Sequence, residues 1–117
     1  MEYFYGNIEE ATLDNGAYRR VLATTFNQQL VLMSLQPKQE IGMEVHPTTT
    51  QFIRVEHGTG LAVVNGQEYQ LFDGVYIVIP PSTWHNIINL SQTDPLQLYT
   101  IYSPPEHEVA LIESSKI

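Results

Sequence analysis

The chain of 117 residues has no cysteine, so neither a disulfide framework nor a thiolate zinc site is open to it. Basic residues are scarce too: five Lys and Arg stand against thirteen Asp and Glu, for a net charge of −8. Phosphate backbones are held by clustered cations, and here only Arg19 and Arg20 are adjacent. Neither nucleic acid nor an anionic membrane surface is expected as a partner. No apolar run approaches the length of a membrane span, and residues 1–6 lack the basic start and apolar stretch of a signal peptide. The expectation is a cytoplasmic protein. Core-forming residues, by contrast, are plentiful. With 43% hydrophobic residues, seven Tyr, four Phe and Trp84, the chain has material for one domain over residues 1–117.

The periodicity is that of strands. Residues 21–25, 30–35, 61–64, 67–71, 75–79, 85–90 and 96–102 are short apolar or alternating runs divided by turn residues. The 30–35 run is apolar on both faces and should be sandwiched. Asn65-Gly66 between two such runs marks a type I′ hairpin, since both residues tolerate positive φ. Residues 8–16 read as polar and turn-rich, and only 106–114 offers a short helical turn. Many short strands without a helical period give an all-β sandwich or barrel.

Two segments carry metal-ligating types. On a strand, residues two apart share a face, so Glu44 and His46 lie together, with Ile41, Met43 and Val45 opposite. Taken alone, that pair reads first as the solvated face of an antiparallel strand, with Glu44 and His46 ordinary surface residues. Across a corner at 47–50, Gln51, Ile53 and Val55 share one face and Phe52, Arg54 and Glu56 the other. A hairpin there would set Gln51 beside His46. His85 arrives from far along the chain, behind the rigid Pro80-Pro81 corner. Two imidazoles, one carboxylate and one amide form a plausible set for a first-row divalent ion.

The spacing of these residues resembles the two motifs of the cupin superfamily. The first is His-x-His, three or four residues, Glu, six residues, Gly; here Glu44, His46, Gln51 and Gly58 fill those places. The second is Gly, five residues, Pro, x, Gly, two residues, His, three residues, Asn; Gly74, Pro80, His85 and Asn89 match, with Ser82 in the second glycine place. The flanks 29–35, 51–56 and 98–107 are similar to those of small single-domain cupins in which Glu-x-His and Gln replace the usual triad. The resemblance implies a double-stranded β-helix (jelly-roll) barrel, conserved over about 28–103. It also implies one divalent transition metal (Fe, Mn, Ni, Co or Zn) held by Glu44, His46, Gln51 and His85, with Gln51 either on the ion or hydrogen-bonding a bound water. Cupins of this size are commonly homodimers, and an outward apolar face with Phe52 agrees with one here.

For function, the resemblance implies a small-molecule enzyme of dioxygenase or isomerase/epimerase type. The alternatives are a non-catalytic module binding a small ligand or metal, and a structural remnant whose metal is incidental. A phosphosugar substrate would call for basic residues near the lumen, of which this chain offers few, and no dedicated general base stands out. His57 and His107 are expected at the surface. Arg54 and Glu56 should make a surface ion pair worth at most about 1 kcal/mol. Asn89 should make a structural hydrogen bond, and Trp84 should face away from His85.

Overall fold

A computed structural model describes residues 2–116. It contains one helix, α1 (Ile8–Asp14), and nine strands: β1 (Arg19–Thr24), β2 (Gln29–Leu35), β3 (Thr50–His57), β4 (Gly60–Val64), β5 (Gln67–Leu71), β6 (Tyr76–Ile79), β7 (His85–Asn89), β8 (Leu96–Ser103) and β9 (Ile112–Glu113). The strands form two antiparallel sheets, ordered β6-β3-β8-β2-β1-β9 and β5-β4-β7. This is an all-β jelly roll.

The alternation of side chains decides what fills it. On β8, Leu96, Leu98, Thr100 and Tyr102 are buried while their neighbours are not, and β3 buries Gln51, Ile53 and Val55 in the same rhythm. These meet Val31, Met33 and Leu35 of β2 on one side. Ala62, Leu71 and Ile87 close the core from the smaller sheet. Strand β2 is buried on both faces, as its composition requires, because α1 packs over β2, β3 and β8. Only 4% of the Glu56 side chain is exposed, so the Arg54–Glu56 pair at 3.6 Å is not a wholly surface one.

The helix corrects the expectation of a turn-rich 8–16. Asn7 caps it by accepting from the Glu10 amide, Glu9 and Glu10 suit its positive end, and Gln97 donates to the Leu13 carbonyl. Seven residues are too few to show a helical period. The C-terminal segment also departs from expectation. Residues 106–114 form no helix; they make a turn at Val109–Ala110 and end by pairing β9 with β1.

Two glycines in turns differ in what surrounds them. Gly66, at φ +78 in the Asn65-Gly66 hairpin, has open space where a Cβ would go. Gly58 has φ +115, and a Cβ there would lie 2.7 Å from the Pro95 carbonyl oxygen. Positive φ alone costs a side chain roughly 1–2 kcal/mol. Gly66→Ala should therefore cost about 1 kcal/mol and Gly58→Ala about 2–3 kcal/mol or more, measured by urea unfolding. Equal losses at the two positions would contradict this reading of the corner.

Candidate metal centre

Residues 39–46 do not form a regular strand, contrary to the alternation expected for Glu44 and His46. They lie as an irregular edge against β7, joined by bridges at Glu40–Ile88 and Glu44–His85. The second bridge is reciprocal: the Glu44 amide donates to the His85 carbonyl at 2.9 Å and the His85 amide to Glu44 at 3.0 Å. Asn86 braces the segment, accepting from the Gly42 amide and donating to Glu40. His46 is tied at the next corner, where the Ser82 amide donates to its carbonyl at 2.8 Å. Ser82 sits at φ +61, so the corner keeps the left-handed turn of the motif glycine without a glycine.

This backbone brings three side chains together. Donor atoms of Glu44, His46 and His85 all lie within 4.8 Å of one another. A single carboxylate oxygen, Glu44 Oε1, stands 3.4 Å from His46 Nε2 and 3.5 Å from His85 Nε2. Those separations are long for hydrogen bonds. They are close to the edge between two donors that each lie about 2.1 Å from one ion.

Gln51 is brought in from β3, but not through a hairpin with His46: its ladder partners are Tyr102 and Ile79. Its amide Nε2 donates to Thr100 Oγ1 at 3.0 Å and lies 3.4 Å from the Tyr102 hydroxyl. Tyr102 in turn presents its ring edgewise to His46, centroids 5.6 Å apart. Among the described residues, His46 Nε2, His85 Nε2 and Gln51 Oε1 are buried without a hydrogen-bond partner. Buried polar atoms are nearly always satisfied. Two orphaned imidazole nitrogens facing one carboxylate oxygen, each with its lone pair free, would suit a cation.

The surroundings set protonation. His85 Nδ1 lies 2.9 Å from the Thr83 carbonyl, which only accepts, so Nδ1 carries the proton and Nε2 keeps its lone pair. Burial alone would lower the His85 pKa, but Glu44 and that carbonyl outweigh it and hold it above the ordinary value. Burial likewise works to raise Glu44, yet the facing imidazoles of His85 and His46 bring it below the usual carboxylate value. Burial, with the charge of Glu44, pushes the Tyr102 phenol far up, so it keeps its proton at any physiological pH.

The C-terminal segment folds over the barrel mouth. Buried Gln29 acts as its backbone partner, accepting from the amides of Glu106 and His107 and donating to the His107 carbonyl. Glu106 Oε1 then stands 3.6 Å from His46 Nδ1. His107, expected at the surface, is half-buried with its ring edge-on to Tyr102, centroids 5.0 Å apart. Arg19 also points inward, because β1 begins two residues before the sequence suggested. Tyr102 was legible in the alternation of its strand; Gln29 lies just outside the run expected at 30–35, and Glu106, His107 and Arg19 depend on where the terminal segments fold. His57 ends β3 half-exposed. Asn89 is fully buried and donates to the carbonyls of Leu35, Gln36 and Asp94, a structural role as expected. Trp84 is 54% exposed while His85 is 2% exposed, so the two do face opposite ways.

Comparison with known proteins agrees with this architecture. A protein of Acanthamoeba polyphaga mimivirus, uncharacterised, is 53% identical over 104 residues, covering 86% of this chain and 65% of its own length. The uncharacterised protein YrkC of Bacillus subtilis is 40% identical over 119 residues, covering 97% of this chain and 63% of its own. The chain thus spans just under two thirds of the length of the curated relatives it matches. The crystal structure of BH2720 from Bacillus halodurans superposes with a TM-score of 0.93 at 40% identity, covering 97% of this chain and 89% of that one. Residues 31–102 match the cupin domain family, and on this match together with the barrel the chain belongs to the cupins.

Proposed function

We propose that this cupin binds one divalent first-row transition ion (Fe, Mn, Ni, Co or Zn) through Glu44, His46, His85 and Gln51, and acts as an enzyme on a small molecule in the lumen. The observation that carries the reading is the pair of orphaned imidazole nitrogens, His46 Nε2 and His85 Nε2, at 3.4 and 3.5 Å from Glu44 Oε1, with the orphaned Gln51 Oε1 reached through Tyr102, whose ring also touches His46. One carboxylate, two imidazoles and one amide oxygen suit a borderline divalent ion rather than a soft one. Such an ion supplies Lewis acidity or a site for oxygen, the chemistry shared by dioxygenase and isomerase types.

The chain's own residues do the rest. Thr83 fixes the tautomer of His85, and Thr100 with Tyr102 fixes the amide of Gln51. Tyr102 offers a proton-bearing hydroxyl in the lumen that does not ionise. The strap from Glu106 to Glu113 covers the mouth and limits water. We also propose a homodimer, because the outer face of β6 and β3 leaves Tyr76 and Val78 66% and 53% exposed beside Phe52.

Protein purified without a metal-affinity tag should carry near-stoichiometric Fe, Mn, Ni, Co or Zn by elemental analysis. Glu44→Ala and His85→Ala should each lose it while keeping the fold by circular dichroism. A wild-type protein that is empty and takes up no added metal would retire the proposal. Binding requires neutral imidazoles, and Glu44 holds His85 above its ordinary pKa, so protons compete early. Occupancy should be full near pH 8 and fall as pH drops through the imidazole range, about 6.5; unchanged occupancy at pH 5 would argue against histidine ligands. Light scattering at micromolar concentration should give twice the chain mass, and a monomer would remove the dimer.

A further inference from the structure

Arg19 is a cation turned into the barrel. It pairs across the β1–β2 ladder with Met33, a core residue, so both side chains point to the interior. Only 14% of its side chain is exposed. The guanidinium lies 5.1 Å over the Tyr18 ring, and one terminal nitrogen bonds the carboxylate of Glu113 on β9. Its Nε–H is buried with no partner among the described residues, and so is Nε2 of His107. His107 reaches the lumen through its contact with Tyr102, the same ring that touches His46. The Arg19 charge is felt there: burial first, and then Arg19, hold the His107 imidazole below its ordinary pKa.

We infer that Arg19 forms an anion subsite in the lumen, and that the ligand of this cupin is a small monocarboxylate. The guanidinium fork matches two carboxylate oxygens, and burial strengthens such a pair. Glu113 already places one carboxylate oxygen on one terminal nitrogen, and the buried Nε–H leaves room on the fork for another. Charge selects the monoanion. Arg19 is a single cation shared with Glu113, in a chain of net charge −8 with Glu44 and Glu106 at the same mouth. A phosphate dianion would meet more repulsion than attraction there. The ligand carboxylate takes over the fork from Glu113, so the strap loosens as the ligand enters. The ligand's other end then faces the proposed metal ligands; that part alone rests on the metal reading.

The test is calorimetric titration of the whole chain, metal-loaded and chelator-stripped, with pyruvate, its neutral counterpart pyruvamide, and inorganic phosphate. Pyruvate should bind, and pyruvamide and phosphate should bind about tenfold more weakly or worse. Arg19→Gln should weaken pyruvate by about tenfold or more, and Glu113→Gln should tighten it severalfold by removing the competitor. Pyruvate binding unchanged in Arg19→Gln, phosphate binding tighter than pyruvate, or no pyruvate binding in either form would overturn the inference. Should Arg19→Gln fail to fold by circular dichroism, Glu113→Gln decides, and no gain in affinity there overturns it. Metal content separates the two proposals. Both variants keep the wild-type metal content, and Arg19-dependent binding to stripped protein upholds the subsite even where no metal is taken up. Metal uptake without Arg19-dependent binding overturns the subsite alone.

Discussion

The reciprocal backbone pair between Glu44 and His85 is the constraint on which the rest of the lumen depends. It joins a stretch with no regular strand geometry to β7 at the edge of the smaller sheet. Because the two residues face each other across that bridge, the carboxylate oxygen arrives 3.5 Å from His85 Nε2 without any long side chain having to search for it. His46, two residues on, is then swung to the same oxygen and tied by the Ser82 amide. The polar contacts of Asn86 at Gly42 and Glu40 serve the same end. A segment held at both ends by β7 and its preceding corner has little freedom to separate the three donors.

Burying such groups is costly. A polar atom taken from water without a partner costs roughly 1–3 kcal/mol, and the lumen holds several. The apolar layers of β2, β3 and β8 offset that cost, and they are nearly fully buried. The fold thus spends stability to keep His46, His85 and Gln51 with free lone pairs, as functional sites commonly do. Closure of the mouth follows the same logic. Gln29 gives up a core position to hold the backbone of the strap, and Arg19 reaches Glu113 from within the barrel.

Much of this was legible in the residues. Period-two alternation placed β3 and β8 correctly, Asn65-Gly66 marked its hairpin, and the motif spacing singled out the Glu44, His46 and His85 that the fold gathers. What was not legible had a physical cause. The helix α1 is too short to show its period and is made by a cap and by cover over β2. Glu44 and His46 alternate in the sequence as they would on a strand, yet long-range bridges to β7 set their geometry instead. Arg19 fell outside the strand expected at 21–25, because the apolar signal of β1 starts at Val21. The strap at 106–113 has no pattern of its own; its course is fixed by buried Gln29 and by pairing with β1.

The most direct test is the position of the ion itself. A crystal of the chain loaded with Co or Zn, measured across the metal absorption edge, should show one anomalous peak within about 2.0–2.2 Å of His46 Nε2, His85 Nε2 and a Glu44 oxygen. Gln51 Oε1 should lie on the ion or on its bound water. A peak elsewhere, or none between these side chains in protein shown to contain the metal, would contradict the account.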